Sequence, residues 1–228
     1  MSADVSDRAL RAAGRRRARD AASGAGPAPE AGPPPRWPGA ANKFVLFGEV
    51  MQIGILVTLL SLPLVTLPLA LAAGVRHLRR FLAADGSRLT LFWADVRHGL
   101  GRKLLFGLAL VAVALVLAID IAVAGTGALP GGQLVAAAGW VGLAALGLLV
   151  LGYAGAWQPG RTTRSTLRAA VTSLTGDRIG AAYLLACLGF TVIVTWQLLP
   201  LIIPALGCVA LAIVAIPERR SALQPREP

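Results

Sequence analysis

The chain has 228 residues, of which 56% are hydrophobic and only 14% charged, with a mean hydropathy of +0.68 and a net charge of +11. Soluble domains are about 45–50% apolar and about 25% charged, so this composition excludes a typical soluble enzyme and excludes disorder over most of the length. The basic surplus lies in blocks beside long apolar runs, which points to cytoplasmic loops and anionic lipid head groups and not to nucleic acid.

Residues 1–43 are read as a disordered cytoplasmic tail. Pro27, Pro29, Pro33, Pro34, Pro35 and Pro38 stand among Ala, Gly and Ser with no apolar run. Such a segment cannot bury enough surface to offset its ordering entropy. The first apolar run starts only near Phe44, beyond the Pro-rich stretch, so neither a secretory nor a twin-arginine signal fits.

Residues 44–217 are read as a transmembrane domain, followed by a short cytoplasmic tail over 218–228. No Asp, Glu, Lys or Arg occurs in 50–75, 104–119, 121–160 or 179–217. A spanning helix needs about 20 apolar residues. Residues 104–125 and 133–156, separated by an uncharged Pro-Gly-Gly turn, predict a transmembrane hairpin. The first and last runs are each interrupted by a proline pair: Pro63 and Pro68, Pro200 and Pro204. Proline lacks a backbone donor and clashes with the preceding turn, so each pair predicts a break. The expected helices are 44–61 with a shorter one from about Pro68, then 180–198 and 205–217.

Two basic amphipathic segments, 75–103 and 160–179, are expected at the membrane interface. Leu89, Phe92, Val96 and Leu100 share one face in the first, after a shorter stripe of Val75, Leu78 and Leu82. Leu167, Val171 and Leu174 share one face in the second, with Ser165 as its expected N-cap. Trp93 and Trp157 are expected in a cytoplasmic-side aromatic belt.

Eight Lys/Arg fall in 1–43, seven in 75–103, four in 157–179 and three in 217–228, against none in the turns at 126–132 and 199–204. The positive-inside rule puts all four basic blocks in the cytoplasm. Six helices with both ends inside satisfy this. Five helices with the tail outside fit the length of the first apolar block better.

The chain carries no HExxH, GxSxG, CxxC pair or P-loop, so no catalytic residue, metal or cofactor is expected and the chain is read as a non-enzyme. Cys187 and Cys208 are read as buried free thiols. His77 and His98 are read as solvated, and Glu49 as interfacial beside Lys43. Asp120 is the one acid well inside a spanning run, and an ionisable group there is a functional candidate by default. If functional, it must face the bundle interior together with Val113 and Val116. The glycines of 133–156 are read as close-packing positions. Paired broken helices often flank a transporter's substrate site, which makes Pro63, Pro68, Pro200 and Pro204 candidates too.

Residues 62–111, LPLVTLPLALAAGVRHLRRFL followed after a gap by LFWADVRHGLGRKLLFGLALV, resemble the YesL-like family of bacterial integral membrane proteins of unknown function. The resemblance rests on Pro63, Thr66, Pro68, Ala70, Ala73, Phe92, Arg102 and Lys103. It implies an accessory role in carbohydrate uptake, beside the permease of a sugar ABC transporter, in the plasma membrane. The expectation is therefore an all-α polytopic bundle of five or six transmembrane helices. An independent small-solute transporter using the broken helices is the alternative.

Overall fold

The computed structural model describes residues 37–40, 42–85, 88–127 and 130–223. The expected tail over 1–43 lies outside the described residues as far as residue 36, as do residues 224–228 of the expected C-terminal tail. Seven α-helices and no strand occur among the described residues. We number them α1 (Lys43–Leu60), α2 (Leu67–Leu82), α3 (Leu89–Gly125), α4 (Gly132–Ala156), α5 (Thr163–Gly176), α6 (Arg178–Gln197) and α7 (Ile202–Leu223). Five stretches are long and apolar enough to cross a bilayer: Lys43–Leu60, Lys103–Gly125, Gly132–Ala156, Arg178–Gln197 and Leu199–Arg219. The chain is an all-α membrane protein.

The helix ends follow local chemistry. Asn42 caps α1, its side chain accepting the Phe44 N–H at 2.9 Å. Pro63 cannot continue that helix, and the chain makes a single 3₁₀ turn over Leu64–Thr66. The Thr66 hydroxyl donates to the Leu60 carbonyl, an oxygen the broken helix leaves open, and lies 3.0 Å from the Pro63 carbonyl. Pro68 falls in the first turn of α2, where a missing N–H costs nothing. That helix closes with Ala84 in the left-handed region (φ 58°) and with Asp85 N–H on the Arg80 carbonyl at 3.0 Å, a Schellman ending.

The second proline pair acts in the same way. Pro200 lies in a 3₁₀ turn, Leu199–Leu201, and Pro204 in the first turn of α7. Both breaks are where the pattern placed them. Three boundaries differ. The amphipathic 89–102 and the crossing from Lys103 are one uninterrupted helix of 37 residues, about 55 Å long. Gly99 and Gly101 stand at the junction of the two compositions and do not interrupt the helix. Thr162 and not Ser165 caps α5, accepting the Ser165 N–H at 3.3 Å. Its buried face is accordingly that of Thr166 and Ala170, and Val171 is exposed. At the C-terminal end α7 continues past residue 217 to Leu223, with Pro217 inside it.

Packing gives the order of the bundle. Helix α2 is antiparallel to α1: a Cβ on Gly74 would meet Ile53 and Val57, and His77 meets Glu49. Helix α7 is also antiparallel to α1. A Cβ on Gly54 would meet the Ile203 carbonyl, and one on Gly207 the Val50 carbonyl, so only glycine permits this backbone approach. The start of α1 and the end of α7 therefore lie on one side of the bundle. In the hairpin of α3 and α4, Gly139 packs on Ile121 and Gly142 on Leu117, as expected for close-packing glycines. Helix α2 is the innermost element. It touches α1, α3, α4 and α7, and every residue from Pro68 to Val75 is buried. The outer faces are apolar: Leu105, Leu115 and Val116 on α3, Phe190, Ile193 and Trp196 on α6 are exposed. Such a surface suits lipid, not water.

Candidate functional site

The last turns of α2 carry Arg76, His77, Arg79 and Arg80, on the most enclosed helix of the bundle. An ionic side chain there needs a partner, because burial of an unpaired charge is costly. Each finds one. Asp95 of α3 receives two guanidiniums, Arg76 at 2.8 Å and Arg80 at 2.9 Å. His77 Nε2 lies 2.7 Å from Glu49 Oε1 of α1. Arg79 Nη2 donates to the Gly155 carbonyl at 2.8 Å, one of the last carbonyls of α4, where the helix dipole also favours a cation. Burial pulls the Arg79 guanidinium below its ordinary value, and the Glu218 carboxylate opposes this.

Aromatic rings complete the enclosure. His77 meets Phe92 edge to face at 6.2 Å between centroids. Lys103 Nζ lies 4.0 Å from the centroid of the Trp157 ring, and the Arg76 guanidinium carbon 5.7 Å from it. Cations over an indole face are attracted by the ring quadrupole. Phe106 stacks on Tyr153 at 4.6 Å. The result is an ionic and cation–π lattice joining α1, α2, α3 and α4. It can hold helices in register and can hold charge. Among the described residues no three His, Cys, Asp or Glu side chains are grouped as a metal site.

Several sequence readings change here. His77 is 1% exposed and Trp157 2% exposed, so neither is solvated or part of an aromatic belt. Glu49 is not merely interfacial beside Lys43; it is the partner of His77. Asp95, 5% exposed, was not singled out by the sequence and is the centre of the lattice. The signal available was an acid at helical spacing within a basic segment that holds only one other, Asp85. His98 is exposed, as expected, and Trp93 is 47% exposed. Cys187 is a half-buried free thiol, whereas Cys208 is an exposed one, because its position on α7 faces outward.

The candidate residues are not gathered at this lattice. Asp120 is exposed, and Val113 and Val116 of its face are 48% and 57% exposed. That face is the outside of the bundle and not the interior a functional carboxylate would need. Pro63 and Pro200 are exposed in their turns, Pro68 is buried and Pro204 half-buried. The first break touches α3, through Val65 on Gly107, and the second touches α1, through Ile203 on Gly54. In comparison with known proteins, the chain matches no family model, no curated protein and no solved structure.

Proposed function

We propose that this chain is a non-enzymatic component of the bacterial plasma membrane that assists a carbohydrate permease. On this reading both basic ends of the described bundle face the cytoplasm. The observation that carries the proposal is the fate of the segment resembling the YesL-like family. Its basic turn, Arg76 to Arg80, is consumed in ion pairs and cation–π contacts that lock four helices together. A locked centre suits a scaffold that presents outer helix faces to a partner better than it suits a gate. The proline breaks support the same reading, since each serves as a turn between antiparallel helices.

Purification of the full chain in mild detergent tests this. The expected result is a stoichiometric permease in the same complex. A lone species that binds sugar would overturn the accessory role and favour an independent transporter.

A further inference from the structure

The seam between the α1–α2 turn and the first half of α3 is a groove of about 250 Å³. Leu60, Thr66 and Leu69 form one wall, and Trp93, Val96 and Leu100 the other. The Thr66 hydroxyl is already engaged with the backbone carbonyls of Leu60 and Pro63, which leaves the walls without an open polar demand. Arg97 stands at the rim and is exposed. Its neighbours in the basic segment, Arg76 and Arg80, both have an anionic partner in Asp95. Among the described residues Arg97 has no anionic partner. The groove thus pairs an apolar slot with an exposed cation that has no anionic partner among the described residues.

Its position suits a lipid. Arg97 precedes Lys103, where the apolar crossing begins, by six residues, or about 9 Å of helix. The polar zone of each leaflet is about 5–8 Å thick, so Arg97 is attached just beyond it and its long side chain reaches back to phosphate depth. The stripe Trp93, Arg97, Leu100 continues at helical spacing to Leu104 and Leu108, both exposed within the crossing. The slot therefore opens directly onto the lipid-facing surface.

We propose that this groove binds one anionic phospholipid, with its phosphate on Arg97 beside the Trp93 ring and an acyl chain between the α1–α2 turn and α3. The apolar walls distinguish this occupant from a free phosphate ion, which would use Arg97 alone. The inference needs only the membrane placement and is independent of any permease.

Native mass spectrometry of the full chain, titrated with dioleoylphosphatidylglycerol or dioleoylphosphatidylcholine in detergent, tests it. The expected result is one retained phosphatidylglycerol, preferred about fivefold, the equivalent of about 1 kcal/mol for one arginine near the surface. Arg97→Gln abolishes the preference. Leu100→Trp fills the slot and lowers retention of both lipids. Arg88→Gln, an exposed arginine outside the groove, keeps the wild-type preference, and excess inorganic phosphate leaves the lipid in place. Both groove substitutions alter exposed side chains, and monodisperse elution verifies their fold. Equal retention of the two lipids by the wild-type chain overturns the proposal. So does an equal effect of Arg97→Gln and Arg88→Gln, which assigns the preference to diffuse surface charge. Displacement of the lipid by phosphate overturns it as well.

Discussion

His77 Nε2 and Glu49 Oε1 lie 2.7 Å apart although 28 residues separate them, and the imidazole is 1% exposed. This pair fixes the register of α2 against α1 at the end of the hairpin opposite its proline turn. A buried imidazole deprived of its partner keeps its full desolvation penalty, about 1–3 kcal/mol. Glu49→Ala is expected to cost that much stability, read as a lower melting temperature in detergent. Glu49→Gln keeps an acceptor at the same place and is expected to cost clearly less. Equal losses for the two would show that packing, not the hydrogen bond, holds this end of the hairpin.

Asp95 carries more weight, because two guanidiniums converge on it. Removing one partner of a buried ionic group costs about 3–5 kcal/mol. The Arg76 side chain is 30% exposed and can reach water, so Asp95→Ala is expected near the lower bound, about 3 kcal/mol. Asp95→Ala combined with Arg80→Leu should recover part of that loss, since the second change removes a stranded charge. Melting curves of the single and double variants check this; a double variant no better than the single one contradicts it.

These two acids show where sequence reading stops. The helix at Gly132–Ala156 and the breaks at Pro63 and Pro200 were legible because each depends on nearby residues: an uninterrupted apolar run, or a missing N–H. The burial of His77 was not legible. Local periodicity places it on a basic turn that resembles an interfacial surface, and its partner lies on a different helix. Arg79 meets a carbonyl 76 residues away. Composition reports that 75–103 is charged, but not that its first part lies at the centre of the bundle. Asp120 shows the converse. Sequence alone picks it out as an acid in an apolar run, and only packing shows that its face is external.

That external face yields a third expectation. Asp120 lies in the last turns of α3, near the turn that begins at Thr126. Asp120→Asn and Asp120→Leu are both expected to leave expression and melting temperature within about 0.5 kcal/mol of wild type, as for surface substitutions generally. Fluorescence-detected size exclusion of the two variants measures this. Loss of the monodisperse peak in Asp120→Leu alone would mean that the carboxylate holds a neighbouring chain or helix.

Thiol accessibility tests the membrane orientation most directly. Helices α4 and α6 run in opposite directions between the basic segment containing Ser165 and the uncharged turns. Single cysteines at Ser165 and Thr126, both exposed positions, are introduced into a chain whose Cys187 and Cys208 are replaced by alanine. A membrane-impermeant maleimide is then applied to intact and to permeabilised cells. Orientation with the basic side inside predicts that Thr126→Cys is labelled in intact cells and Ser165→Cys only after permeabilisation. The reverse pattern, or labelling of both from one side, would contradict it.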